Sequence, residues 1–171
     1  IRKKFKDALI VPTTSSEMRK YLPIGFVDKD TIITAPNQVI YEFAPYVLSI
    51  LSSRMHFLWL ETVGGKLTSR LRYSSEIVYN NFPISLNSKK IKDDLNVTAL
   101  KLLDEREKYS EKTISDLYDP LKMPNNLLNI HIEIDQIIEK CYKNSSFKDD
   151  NERIEFLFKS YEEMSSENKL L

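Results

Sequence analysis

Glycine is scarce in this chain, with three in 171 residues, at positions 25, 64 and 65. A loop that wraps phosphates with backbone amides needs more than that, and Gly64-Gly65 is not followed by the Lys-Ser/Thr of a P-loop. No Gly-x-Ser-x-Gly elbow exists to present a nucleophilic serine. Cysteine occurs once, at Cys141, which excludes an internal disulfide and fits a reducing compartment. The two histidines, His56 and His131, are far apart in sequence. His131 and Cys141 stand ten residues apart on one predicted helix, too far to share an ion without further ligands. Apolar runs such as Phe57-Leu58-Trp59-Leu60 are far too short to span a bilayer, and no secretion signal is recognisable. These features predict a cytoplasmic protein that does not engage a membrane. The chain opens on Ile1 rather than Met, which predicts a piece of something longer.

What is present is charge, unevenly placed. Lys and Arg equal Asp and Glu at 25 each. Residues 1–90, however, hold 13 basic and 7 acidic side chains, and residues 91–171 hold 12 and 18. The first half therefore carries +6 and the second −6, so one half suits a polyanion and the other does not.

The secondary-structure signals divide the same way. Ala8–Val11, Tyr21–Val27, Thr31–Thr34 and Gln38–Phe43 are β-branched or aromatic runs with short connections, which predicts antiparallel strands. Pro23 points to an edge or a bulge. After Pro45 the apolar residues Val47, Leu48, Leu51, Met55 and Leu58 follow a helical period, with the helix ending before Gly64-Gly65, where glycine permits positive φ. Lys66–Arg72 alternates as a strand would, placing Lys66, Thr68, Arg70 and Arg72 on one face. Ser74 or Ser75 caps a short helix into Tyr79. Beyond a boundary near Ser85–Ser88, apolar stripes predict three helices: Ile91–Leu103, Leu127–Cys141 after Pro124, and Ile154–Tyr161 capped by Asp149 or Asp150. The fold class is α+β: a small, mixed, mainly antiparallel β-rich domain with packed helices over residues 1–86, then an all-α helical bundle over 87–171.

Asn80-Asn81-Phe82-Pro83 resembles a scrambled Asn/Asp-Pro-Pro-aromatic tetrapeptide, the site that holds a flipped base in amino-methyltransferases. The stiffening prolines between Asn and the ring are missing, so the stretch reads as a helix exit packed by Phe82. Glu167-Asn168-Lys169 lies on no strand that would orient it for nuclease chemistry. The run Asp104–Lys108 reads as a solvated helix face with intrahelical ion pairs. No catalytic set remains. What remains is a basic, hydroxyl-rich surface: Thr13-Thr14-Ser15-Ser16 with Arg19-Lys20, then Ser52-Ser53-Arg54, then Lys66, Thr68, Arg70 and Arg72. These residue types contact DNA phosphates and base edges. The competing reading is a non-catalytic interaction domain whose basic half binds an acidic protein partner.

Three stretches, VPTTSSEMRKYLPIGF (11–26), ILSSRMHFLWLETVGGKL (50–67) and RYSSEIVYNNFP (72–83), resemble the target-recognition domain of MmeI-like fused restriction–modification enzymes. REKYSEKTISDLYDPLKMP (106–124) and FKDDNERIEFLFKSYEEM (147–164) resemble the helical C-terminal region of the same family, in the same order. The resemblance implies a DNA target-recognition domain over 1–86 and a helical C-terminal domain over 87–171. The segment would choose the double-stranded DNA site that an endonuclease domain and an S-adenosylmethionine-dependent adenine-N6 methyltransferase domain of the parent chain cut and modify. It implies no cofactor in the segment itself, with S-adenosylmethionine, and Mg²⁺ for cleavage, held by the parent. Carried onto these residues, it assigns base readout to Lys66, Thr68, Arg70 and Arg72. Backbone contacts fall to Thr14, Ser15, Ser16, Arg19, Lys20 and Arg54. The acidic helical half would brace the recognition domain or dock on the methyltransferase domain.

Overall fold

The computed structural model describes residues 7–28 and 30–167, the last without its side chain; Asn168 and Lys169 of the Glu-x-Lys stretch lie outside them. The order is β1 (Asp7–Val11), β2 (Thr14–Ser16), β3 (Gly25–Asp28), β4 (Gln38–Tyr41), α1 (Pro45–Leu51), α2 (Arg54–Val63), β5 (Gly65–Leu67), β6 (Arg70–Arg72), a single π-helical turn (Ser75–Tyr79), then α3 (Lys89–Glu107), α4 (Ile114–Leu117), α5 (Asn125–Glu139) and α6 (Asp150–Glu167). The fold is α+β with antiparallel sheets and a helical C-terminal region, as the residue patterns predict.

Two small sheets divide the strands. In the first, β1 lies between β3 and β4, with Leu9 opposite both Phe26 and Ile40. In the second, β6 lies between β2 and β5. Pro12 sits at the break between β1 and β2. It has no N–H to extend the first ladder, and the chain there leaves one sheet for the other. Thr31–Thr34 is not a strand. Asp28 accepts from the Asp30 amide (3.1 Å) and the Thr31 hydroxyl (2.9 Å), closing a turn there. Ile32 is 89% exposed, and β-branched residues without a surface to pack on do not make a strand.

The single helix expected after Pro45 is two helices. Ser53 breaks it: its backbone is extended (φ −80°, ψ 156°) and its Oγ accepts from the His56 amide at 3.2 Å, capping α2. The same hydroxyl donates to the Ile50 carbonyl at 2.7 Å. Ser52 and Ser53 are fully buried, so this Ser-Ser pair punctuates the core and offers no donor to a ligand.

The three long C-terminal helices form where the apolar stripes place them. Ser88 caps α3, and Asp149 accepts from the Glu152 amide (2.9 Å) at the start of α6. Leu95, Ala99 and Leu102 of α3, Leu127, Ile134 and Ile138 of α5, and Leu157 of α6 join Leu48, Leu51, Phe57, Leu58 and Leu60 in one hydrophobic cluster. The helical half thus packs directly on α1 and α2, and the core is continuous across both halves.

Candidate nucleic-acid interface

The stretch from Lys66 to Arg72 is a hairpin, not one strand. Leu67 pairs with Arg70, Lys66 with Leu71 and Gly65 with Arg72. Because the chain reverses at Thr68-Ser69, the simple alternation is broken at the turn. Residues opposite one another in an antiparallel pair share a face. Lys66 therefore shares the inner face with Leu71 and Ser15, which are buried. Its Nζ lies 3.4 Å from Glu17 Oε2. The expectation of four side chains on one face fails for this geometric reason.

The outer face gathers a different set. Thr14 pairs with Arg72 and Ser16 with Arg70, so these four residues share one surface with Leu67, which is 61% exposed. The side chains of Arg70 and Arg72 are exposed and make no hydrogen bond or ion pair among the described residues. Thr68 stands at the tip with φ 59°. A β-branched residue in the left-handed region is held at a cost of roughly 1–3 kcal/mol, and such strain concentrates at functional sites. The glycines that precede the hairpin do not supply positive φ; Gly64 has φ −71°. Gly64 is needed for space: a Cβ there would lie 2.4 Å from the Leu60 carbonyl oxygen. It lets β5 leave α2 with backbone almost touching backbone.

Of the residues expected on the DNA backbone, Thr14 and Lys20 are exposed and Ser16 is half-buried. The Ser16 hydroxyl accepts from the Met18 amide at 3.2 Å. Ser15 is buried beneath the sheet, without a partner for its hydroxyl. Arg19 and Arg54 differ from the expectation most. Arg19 donates to Ser115 O (3.0 Å), Ser115 Oγ (2.8 Å) and Tyr118 O (3.3 Å). Arg54 donates to Asp150 Oδ2 (2.7 Å) and Lys20 O (3.3 Å), and its guanidinium covers the Phe57 ring. Both cations are turned into the seam with the helical half, where carbonyls and a carboxylate occupy their donors.

Sequence reasoning missed the rest of that seam. Asp135 of α5 accepts from the Arg54 amide (2.7 Å) and the Tyr21 hydroxyl (2.8 Å), so a buried carboxylate closes the N-terminus of α2. Burial pushes its pKa up to about 7. Arg106 donates to Ile24 O (2.9 Å) and, through Nε, to the Tyr118 hydroxyl (3.0 Å). Tyr118 in turn donates to His131 Nε2 (2.8 Å), and His131 Nδ1–H donates to Ser52 O (2.9 Å). The carbonyl acceptor fixes the imidazole tautomer. Burial pushes His131 down to about 3, and His56, which meets the Tyr73 hydroxyl at 3.0 Å, likewise. The Asp104–Lys108 run is thus only partly a solvated face: Glu105 is buried and Arg106 reaches across to the β-rich half. Phe82 packs edge-on against His56 (4.7 Å between ring centres), as a helix exit would.

Residues 1–86 match the family "MmeI, target recognition domain", and residues 87–169 match "MmeI, C-terminal domain". DNA methyltransferase A of Bacillus subtilis (strain 168) is 40% identical over 169 residues, covering 95% of this chain and 19% of that protein. A solved structure of the Type IIL restriction-modification enzyme MmeI in complex with DNA superposes with a TM-score of 0.89 at 38% identity, covering 94% of this chain and 22% of that one. The chain therefore spans about a fifth of the length of these two relatives.

Proposed function

Because the chain belongs to the MmeI target-recognition and C-terminal domain families, we propose that it is the part of a restriction–modification DNA methyltransferase that selects the DNA sequence, acting in the cytoplasm on double-stranded DNA. The observation that carries this reading is the outer face of the β2–β6–β5 sheet. It presents two unpartnered arginines, flanked by Thr14 and Ser16, on a hairpin with a strained tip. A two-stranded ribbon fits the major groove, and arginine bonds guanine O6 and N7 in a bidentate manner. Arg70 and Arg72 are assigned to base edges, with Thr68 at the tip reaching deepest. Thr14, Ser16 and Lys20 are assigned to phosphates, which fix register without reading sequence.

Methyl transfer and cleavage belong to other segments of the parent. Among the described residues no three His, Cys, Asp or Glu side chains are grouped so that they could hold a metal ion. S-adenosylmethionine and Mg²⁺ are assigned to the methyltransferase and endonuclease domains. No helix among the described residues is long and apolar enough to cross a membrane.

The test uses the complete polypeptide that carries this segment, with a duplex site recovered from a random-sequence library by the protein itself. Arg70→Ala should relax preference at one base pair by about 1–3 kcal/mol. Lys20→Ala should weaken binding equally on all sequences and flatten the log K against log salt plot by about one unit of slope. Identical behaviour of the two variants overturns the assignment. Absence of any salt-dependent DNA binding supports an acidic protein partner instead.

A further inference from the structure

Both approaches to the reading sheet are fastened to the helical half. β2 ends in a turn, with the Arg19 amide donating to Ser16 O (3.3 Å), and the Arg19 guanidinium is then fixed to α4 through Ser115 and Tyr118. The non-repetitive run that follows has its other anchors in the same half. Tyr21 donates to Asp135 and stacks on His131 at 4.2 Å, and Ile24 O receives Arg106. On the other side, β5 issues from α2 through the crowded Gly64. The start of α2 is held by Asp135 and Asp150, and Trp59 in its middle lies against Phe158 (5.8 Å) and Tyr161 (5.4 Å) of α6. A cleft of about 410 Å³ runs along this seam, lined by Lys20 and Arg54 from one half and by Asp135, Asp150 and Arg153 from the other.

We propose that the helical half sets the angle at which the reading hairpin meets DNA, with Arg19, Arg54 and Asp150 as positioning residues for base recognition. This rests on the hairpin being the reader. Bidentate hydrogen bonds are steeply directional, so a sheet that rocks loses base discrimination before it loses general affinity for the polyanion. Phosphate attraction is a point-charge effect and tolerates the same rocking. The helical half thereby governs specificity without touching a base.

Arg19→Lys separates this from a phosphate contact. Lysine keeps the positive charge, which suffices for a phosphate, but lacks the fork that spans Ser115 and Tyr118. The expected result, on the selected duplex against the same duplex with one base pair changed, is a fall of about tenfold in the affinity ratio with the salt slope unchanged. Asp150→Asn, which removes no cation, should lower the ratio in the same direction, again with an unchanged slope. The proposal is overturned if both variants keep the ratio within about twofold. It is also overturned if Arg19→Gln reduces the slope by about one, which would place Arg19 on a phosphate. Arg70→Ala measured alongside keeps the two ideas apart. If it too leaves the ratio unchanged, the reading hairpin is wrong. If it lowers the ratio while the seam variants do not, only the positioning role is wrong.

Discussion

The outer sheet and the seam use the same residue type for opposite ends. On the sheet, Arg70 and Arg72 stand in water with no partner among the described residues. In the seam, Arg19, Arg54 and Arg106 meet carbonyls, hydroxyls and a carboxylate at 2.7–3.3 Å. A guanidinium already held by protein has little left to offer a phosphate, whereas an unpartnered one is held out to a polyanion at little cost, because water solvates it until the ligand arrives. Sequence shows only that Arg19, Arg54, Arg70 and Arg72 are arginines in the half with excess positive charge. The lesson is that a basic surface must be counted by free donors, not by residue type.

Several measurements sharpen or break this contrast. The largest expected effect is on folding. Arg106→Ala removes a half-buried guanidinium and leaves Ile24 O and the Tyr118 hydroxyl underbonded, which should cost about 1–3 kcal/mol in urea unfolding. Arg70→Ala should stay within about 0.5 kcal/mol of the parent. Equal losses from the two would mean that the sheet arginine is structural as well.

Acid should open the seam next. His56 and His131 protonate near 3 when folded and near 6.5 when unfolded, so between those values the unfolded chain binds more protons. Their contribution is complete above pH 6.5 and is lost as pH falls towards 3. Asp135 opposes them: its folded value of about 7 exceeds the unfolded 3.8, so the folded state binds the extra proton and this group favours lower pH. Two histidines outweigh one aspartate, and the urea midpoint should fall on acidification from pH 6.5 to 4. Asp135→Asn should steepen that fall and His131→Asn should flatten it. A midpoint independent of pH over that range would show that the two imidazoles are not both buried neutral.

The smallest effect concerns the hairpin tip. Thr68→Gly removes the strain of φ 59° and should raise stability by up to about 1 kcal/mol while relaxing base preference. A loss of stability would mean that the Thr68 side chain stabilises the free fold.

Much of this protein was legible in order and type. The helical stripes of α3, α5 and α6, the cap at Asp149, the β-rich character of the first half and the burial of Phe82 all follow from periodicity and local chemistry, which act over a few residues. The resemblance of residues 11–83 pointed to the family that the first half matches. Less was legible wherever a partner distant in sequence decides. Ser53 looked like a surface donor, yet its hydroxyl caps a helix inside the core. Thr31–Thr34 had strand composition but no surface to pack on, and the Asp28 turn took its place.

The sequence by itself determined where the long C-terminal helices lie and which half carries the positive charge, because those are sums over neighbouring residues. Only the tertiary structure decided which cations remain available. A two-residue turn at Thr68-Ser69 moved Lys66 to the inner face and paired Arg70 and Arg72 with Ser16 and Thr14 on the outer one. Contacts spanning 96 residues drew Arg19 to Ser115 and Arg54 to Asp150. The β2–β6 pairing and the long-range ion pairing depend on the closed chain, and no local pattern encodes them.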